Sequence, residues 1–110
     1  VSNYMLKHLR ELARYARIQP AVNQIEYAPG APLGELVEHC RSSGIVLEAF
    51  AWLLPHNLEQ PGLRHVAARL GRPPVLVLMR WFLQQGMVPL WKTDREERVL
   101  ENTEALSDAF

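Results

Sequence analysis

The feature that most constrains the fold of this chain is the regular alternation of short apolar runs with segments of helical periodicity. Apolar and β-favouring residues predict strands, and apolar residues spaced three and four apart predict helices with one buried stripe. The near-continuous apolar character of 45–50 favours a strand that is covered on both faces. Such alternation is typical of a parallel sheet with right-handed helical crossovers. The predicted strands lie at 1–4, 21–27, 45–50 and 86–91, and the predicted helices at 5–16, 33–42, 61–70, 73–85 and from 93 or 94 onward.

Polar or aromatic residues recur at the ends of the predicted strands, and they narrow the choice of fold. These residues are Ser2 and Asn3, Gln24, Phe50 and Lys92. In a (β/α)8 barrel the functional site is built at this carboxyl end of the strands, whereas no glycine-rich loop follows any predicted strand, which argues against a Rossmann or P-loop domain. A whole barrel needs about 250 residues. With 110 residues, the chain is predicted to be an α/β protein with a partial, half TIM barrel as a single unit over 1–110.

Composition excludes several classes of function. Lys and Arg total 12, and so do Asp and Glu, so no global basic field suggests nucleic acid or an anionic membrane as a partner. No apolar run is long enough to span a bilayer. The single cysteine, Cys40, fits a reducing compartment, and we therefore expect a cytoplasmic location. Cys40 lies on a helical apolar pattern and is interpreted as core packing. The histidines are scattered without metal-ligand spacing, so no metal site is predicted: His8, His39, His56 and His65.

The segment after the last predicted strand has the features of an anion site. Lys92 stands at the end of that strand, and Thr93 or Asp94 is a plausible N-cap for the helix that follows. Glu96 and Glu97 fall in the first turn, where the helix dipole favours acids. A fixed cation beside the free N–H groups of a helix start can bind an anion.

Three further polar side chains are expected near one face of that helix. Arg98 lies in the helix, and Glu101 and Asn102 follow one turn later. Spacing alone leaves an alternative open, namely a solvated helix with ordinary ion pairs.

Four segments in the same order resemble the C-terminal half of an aldo-keto reductase. Residues 1–4, Val-Ser-Asn-Tyr, resemble V-S-N-[FY] at the end of the family's fifth strand. Residues 20–27 resemble P-x-V-N-Q-x-E-[YC] on the sixth strand, and 44–50 resemble the seventh strand. Residues 92–102 resemble K-[ST]-x4-R-x2-E-N after the eighth strand. The resemblance therefore implies part of a (β/α)8 barrel that binds NADP(H), and a chain that is a piece of a longer protein.

For the nicotinamide end of the cofactor, the resemblance implies contacts at the strand ends. Ser2, Asn3 and Gln24 would hydrogen-bond the carboxamide. Phe50 replaces the family's usual Tyr, whose ring stacks on the nicotinamide, and it keeps an aromatic face. Leu53, in the loop after this strand, stands at a cofactor-contacting position of the family.

For the adenosine end, the resemblance implies recognition of the 2′-phosphate. Lys92, Thr93 and Arg98 would hold this phosphate and favour NADP over NAD, because two cations suit a dianion and Arg presents a fork of donors. Glu101 and Asn102 would contact the adenine edge.

The chain departs from the family pattern at several positions. After Phe50 the family usually has Ser-Pro-Leu, whereas this chain has Ala51 and Trp52 before Leu53, so a serine hydroxyl near the pyrophosphate is lost. Trp52 is a candidate to line the substrate pocket, with simple packing as the alternative. Asp94 would be harmless as an N-cap but would weaken phosphate binding if it faced the phosphate.

The family's catalytic Asp, Tyr, Lys and His come from the first half of its barrel, and no residue here is matched to them. By alignment Tyr4, Tyr15 and Tyr27 are not candidates for the acid. The resemblance implies a parent reaction, the NADPH-dependent reversible reduction of an aldehyde or ketone to an alcohol, for which the complete enzyme takes a carbonyl substrate. The chain alone is expected to be inactive. The alternative is a non-catalytic half-barrel that self-associates or binds a complementary half, because its sheet edges are open.

Overall fold

Strands and helices alternate along the chain, as the sequence predicts. The computed structural model describes residues 1–107 and 110. The helices are α1 (Leu6–Leu12), α2 (Gly34–Ser42), α3 (Pro55–Leu58), α4 (Pro61–Leu70), α5 (Pro74–Gln84) and α6 (Glu96–Thr103), and the strands are β1 (Val22–Glu26), β2 (Val46–Phe50) and β3 (Val88–Pro89). A 3-10 turn, Glu104–Leu106, follows α6.

The strands form one parallel sheet in the order β1-β2-β3. Gln24 of β1 lies opposite Glu48 of β2, and Ala49 lies opposite Pro89 of β3. Ser2 forms an isolated parallel bridge with Gln24, so the first residues extend the sheet beyond β1. Parallel strands separated by helices confirm the predicted α/β class, and their carboxyl ends meet at one edge of the sheet.

Helices cover one face of the sheet, and the other face is open in the described part of the chain. Leu47 and Ala49 of β2 are buried with Ile25 of β1 in one core that includes residues of α2 and α5. On the opposite face Val46 is 43% exposed and Val88 is 42% exposed. The prediction that 45–50 is covered on both faces was therefore wrong. Successive side chains of a strand point to opposite faces, and only one of those faces meets a helix here.

The last helix begins later than the sequence suggested. Its N-cap is Arg95, not Thr93 or Asp94, and the backbone at Arg95 is extended. The Thr93 hydroxyl oxygen accepts a hydrogen bond of 3.2 Å from the Arg95 N–H, which holds a turn ahead of the helix. Glu96 and Glu97 do occupy the first turn, as predicted.

Other boundaries also differ from the predictions. Helix α1 ends at Leu12 because the N–H groups of Arg14 and Tyr15 bond carbonyls three residues back, which tightens the chain into turns. Strand β3 is short, since the Met87 N–H bonds the Phe82 carbonyl of α5 at 3.0 Å. Helix α3 lies between the predicted strand at 45–50 and the predicted helix at 61–70, where no helix was predicted.

Buried aromatic rings join the helices to the sheet. The Trp52 and Phe82 ring centroids lie 5.5 Å apart, and both side chains are fully buried. Cys40 is also fully buried, which confirms its interpretation as core packing. Burial raises the pKa of the Cys40 thiol above its ordinary value of 9.0, and a hydrogen bond with the Asn23 side chain acts in the opposite direction.

Candidate functional site

A pocket of about 400 Å³ lies between the end of β3 and helix α6, and we name it the β3–α6 pocket. It gathers six of the residues that the sequence predicts to bind cofactor. They come from the loop after β2, from the segment after β3 and from one face of α6. These six residues are Leu53, Lys92, Thr93, Arg98, Glu101 and Asn102.

The two cations of the β3–α6 pocket, Lys92 and Arg98, are not paired with acidic side chains in the part of the chain that the structure describes. Within residues 1–107 and 110, neither Lys92 nor Arg98 forms an ion pair. The pairs that do form lie elsewhere, such as the 3.0 Å contact between Arg72 and Glu104. Glu101 is the acidic residue that lines the pocket, whereas Asp94 is exposed and is not part of the lining. Helix α6 is solvated, as the alternative interpretation has it, but the ion pairs of that interpretation do not form at Lys92 or Arg98 within the described residues.

The lining of the β3–α6 pocket suits a ligand with an anionic part and an apolar part. Lys92 and Arg98 carry charge, and Thr93 and Asn102 carry a hydroxyl and an amide. Two cations with a guanidinium fork match the charge and shape of a phosphate group. Apolar side chains complete the walls, as in most small-molecule sites, and sequence reasoning did not assign three of them to the site: Leu58, Val75 and Trp91.

Only one of these three residues had a recognisable signal in the sequence. Trp91 immediately precedes Lys92, and an exposed aromatic next to a cation is a reasonable candidate for a binding residue. Leu58 lies in α3, where no helix was predicted, and Val75 lies in α5, whose apolar period gives no sign of a binding role.

A second set of predicted residues lies at the ends of the strands, and we name Ser2, Asn3, Gln24 and Phe50 the strand-end group. The Gln24 carbonyl accepts hydrogen bonds from the Asn3 N–H at 2.8 Å and from the Ser2 hydroxyl at 3.3 Å. The Gln24 side-chain amide donates to Glu48 Oε2 at 2.8 Å. Three members of the group are thus joined to one another by hydrogen bonds.

Phe50 lies at the carboxyl end of β2 and is half-buried. Alternate residues of a strand share a face, so Phe50 lies on the same open face as Glu48 and its partner Gln24. The chain turns sharply after it, because Ala51 adopts a left-handed φ of 59° that non-glycine residues rarely take. Ser2 and Asn3 line a separate depression of about 260 Å³, with Tyr4 and His8 among its other residues.

Trp52, the candidate substrate-binding residue, belongs to the core. Its side chain is 0% exposed. Its indole N–H donates to the Leu90 carbonyl at 2.8 Å, and its ring lies against Phe82 and Trp91. Of the two interpretations offered for Trp52, packing is the one that fits this burial.

Of the helices in 1–107, none combines the length and apolarity needed to cross a membrane. No cluster of three or more histidine, cysteine or acidic side chains there could hold a metal ion.

Known proteins of similar sequence indicate the family of this parallel α/β protein with a cationic pocket beyond its last strand. The chain is 37% identical over 105 residues to the glyoxal reductase of Bacillus subtilis, covering 94% of this chain and 38% of that protein. It is 35% identical over 114 residues to an aldo-keto reductase of Arabidopsis thaliana, covering 96% and 36%. No family model matches the chain.

Solved structures agree with these sequence similarities. The fold superposes on a silkworm aldo-keto reductase complexed with NADPH, with a TM-score of 0.82 and 27% identity over 98% of this chain and 38% of that one. The fold is thus that of a part of an aldo-keto reductase barrel. The chain belongs to the aldo-keto reductase family, as its motifs predicted. It spans little more than a third of the length of these relatives.

Proposed function

We propose that this chain is the NADP(H)-binding half of an aldo-keto reductase, corresponding to the end of the fifth strand through the eighth helix of the barrel. One observation carries the proposal. The β3–α6 pocket brings Lys92, Thr93 and Arg98 together without an ion pair to either cation in the described residues. These are the positions that the resemblance matches to the 2′-phosphate of NADP.

The residues present in the β3–α6 pocket fit the adenosine end of this cofactor. Lys92 and Arg98 neutralise a phosphate dianion, and the Thr93 hydroxyl adds a donor. Asn102 and Glu101 offer the amide and carboxylate that would contact the adenine edge, and Leu53, in the same lining, would contact the same ligand. NAD lacks the 2′-phosphate, so this lining favours NADP(H).

The strand-end group would hold the nicotinamide end. Ser2, Asn3 and Gln24 would hydrogen-bond the carboxamide, and the ring of Phe50 would stack on the nicotinamide. The Gln24 amide first has to exchange its bond with Glu48 for one with the ligand. When bound, the cofactor supplies the hydride for carbonyl reduction.

The reaction itself would need groups that the resemblance assigns to the other half of the barrel. In the complete enzyme a carbonyl compound is reduced to an alcohol, and an acid protonates the developing alkoxide. No residue of this chain is matched to that acid. We therefore propose that the 110-residue chain binds cofactor but does not turn over substrate alone.

Calorimetric titration of the chain with NADPH and NADH tests the cofactor assignment. NADPH should bind more tightly, and Arg98→Ala should lower its affinity about thirtyfold, equivalent to about 2 kcal/mol for a charge-assisted contact, with NADH unchanged. Arg95→Ala is the matched control, because Arg95 is the adjacent arginine outside the lining. Equal affinities for the two cofactors, or equal effects of the two variants, would refute the phosphate site.

An activity assay tests the proposed lack of turnover. NADPH oxidation with a panel of aldehydes and ketones should stay at the rate without protein. Carbonyl-dependent oxidation by the pure chain would contradict the assignment of catalysis to the other half.

The second candidate function is assembly with another half-barrel, either a complementary half or a second copy. The observation that favours it is the exposure of Val46 and Val88 on the open face of the sheet, together with β3 as an edge strand in the described part of the chain. Unpaired edges and uncovered apolar faces invite pairing. Light scattering at micromolar concentration should then give the mass of a dimer or larger species. A monomer would count against self-association.

A further inference from the structure

The residue that follows Val22 in β1 is a buried amide whose role the cofactor assignment does not explain. Asn23 is 0% exposed and, with Asn57, is one of the two buried polar residues among those the structure describes. It points to the helix-covered face, opposite to its neighbour Gln24, which lies on the open face. A buried amide costs free energy unless its donors and acceptor are satisfied.

The Asn23 side chain satisfies these groups by hydrogen bonds to the backbone of one residue, Tyr4, which is distant in sequence. Its Nδ2 donates to the Tyr4 carbonyl at 2.8 Å, and its Oδ1 accepts from the Tyr4 N–H at 3.3 Å. The same side chain lowers the pKa of the Cys40 thiol on α2, against the larger effect of burial, which raises it. Asn23 therefore ties the N-terminal segment to β1 at one point, beside α2.

The residue before Tyr4, Asn3, lies next to this pair of bonds between Asn23 and Tyr4, which we name the clamp, and belongs to the strand-end group. Asn3 has a φ of 56°, in the left-handed region, which asparagine adopts more readily than most non-glycine residues. Its own N–H is held by the Gln24 carbonyl at 2.8 Å, and the residue after it is held at both backbone polar groups by Asn23. The conformation of Asn3 is thus fixed from both sides.

We propose that Asn23 is a positioning residue that fixes Asn3 and so presents the nicotinamide end of the site. The part about nicotinamide rests on the proposed function, whereas the part about Asn3 does not. The requirement is for an amide, because holding both the N–H and the C=O of Tyr4 takes a donor and an acceptor on one short side chain. Asp lacks the donor when ionised, and Leu lacks both groups.

The first experiment measures the clamp without any cofactor. Amide hydrogen exchange of the wild-type chain should show protection at Asn3 and Tyr4. In Asn23→Asp and Asn23→Leu these two amides should exchange at least tenfold faster, while amides in the middle of α5 change little. Unprotected amides in the wild type, or unchanged exchange in a folded variant, would overturn the clamp whether or not NADP binds.

The second experiment asks what the clamp positions. Affinities for NADP⁺ and for adenosine 2′,5′-bisphosphate, which lacks the nicotinamide, are measured for the same variants. NADP⁺ affinity should fall about tenfold, while that for the bisphosphate stays within about twofold. A parallel loss of both affinities, or no loss of either, would show that Asn23 has only a structural role. Failure of the wild type to bind either ligand would instead refute the proposed function and leave the exchange result standing.

A pH profile separates the clamp from general loosening of the fold. Protonation of the carboxyl introduced by Asn23→Asp restores a donor and an acceptor of nearly the same shape as the amide. The ratio of NADP⁺ affinity to bisphosphate affinity should therefore recover in Asn23→Asp as the pH falls, but not in Asn23→Leu. Cys40→Ala is the control that leaves both bonds to Tyr4 in place, and its ratio should match the wild type. A ratio in Asn23→Asp that does not change with pH would contradict the proposal.

Discussion

The β3–α6 pocket and the strand-end group differ in how their polar atoms are used before any ligand arrives. In the pocket, Lys92 and Arg98 have no ion-pair partner among the residues described. In the strand-end group, the Gln24 amide is bonded to Glu48 and the Ser2 hydroxyl to a backbone carbonyl. One region presents free charge, and the other presents groups that already bond to protein.

This difference predicts an unequal contribution of the two regions to cofactor binding. A phosphate in the pocket gains charge-assisted hydrogen bonds of about 1.5–3 kcal/mol each without breaking protein contacts. A carboxamide at Gln24 exchanges one hydrogen bond for another, so its net gain is smaller, about 0.5–1.5 kcal/mol. We expect affinity to come mainly from the phosphate end and orientation from the nicotinamide end.

Trp52→Ala should have the largest effect and should damage the phosphate end first. The indole fills the core and bonds the Leu90 carbonyl, two residues before Lys92. Removing it should lower the free energy of unfolding by about 3–5 kcal/mol, measured by urea denaturation.

Trp52→Phe is the matched variant for this prediction, since it keeps an aromatic ring and removes the bond to Leu90. It should weaken adenosine 2′,5′-bisphosphate binding while leaving amide protection at Asn3 unchanged. If Trp52→Ala lowered the free energy of unfolding by less than about 1 kcal/mol, the two regions would not depend on this core contact.

Local patterns of residue type predicted the strands and most helices of this fold, but not that one face of the sheet is covered and the other is open. Alternating periodicities located three parallel strands, and the pocket residues followed from the resemblance to the family's motifs, not from spacing alone. Helix α3 was missed because four residues, Pro55–Leu58, are too few to show an apolar period. The open face was missed because Val46 is as apolar as the buried Leu47, and only tertiary packing decides which of them is covered.

Sequence reasoning also could not predict that polar groups of the strand-end group are hydrogen-bonded to other parts of the protein. The bond between Gln24 and Glu48 depends on the register of β1 against β2, which neither strand specifies alone. The start of α6 was misplaced for a similar reason. Thr93 and Asp94 are both good N-cap types, but the Thr93 hydroxyl is used in a turn with Arg95.

Added salt should distinguish the two regions, because it should lower the affinity of the β3–α6 pocket for a phosphate ligand by about a factor of ten. The pocket cations are exposed at Lys92 and Arg98, so raising ionic strength from about 0.05 M to about 0.5 M should weaken bisphosphate binding about tenfold. Binding of nicotinamide mononucleotide, which lacks the 2′-phosphate, should fall much less. Equal salt dependence of the two ligands, measured by calorimetry, would remove the distinction between free charge and paired groups.

Glu48→Ala should strengthen binding at the nicotinamide end by a smaller amount. Without Glu48, the Gln24 amide has no protein acceptor to give up, so NADP⁺ affinity should rise about threefold, equivalent to about 0.6 kcal/mol. Bisphosphate affinity should not change. Glu26→Ala is the control for removal of an acid near the same end of the sheet. A rise of the same size in both variants would mean that charge, and not release of Gln24, is responsible.

Alkaline pH should have the smallest effect and should reach the strand-end group through Cys40. Burial raises the pKa of the Cys40 thiol above 9.0, so as pH rises past this value the unfolded chain loses the thiol proton before the folded chain does. The resulting stability is fully present below pH 9.0 and declines above it. Since the Asn23 side chain acts on the pKa of the Cys40 thiol, NADP⁺ binding should weaken there more than bisphosphate binding. The free energy of unfolding, measured by urea denaturation, should fall with pH more steeply in the wild type than in Cys40→Ala, by less than about 1 kcal/mol per pH unit. Equal slopes in the two proteins would exclude the thiol as the source.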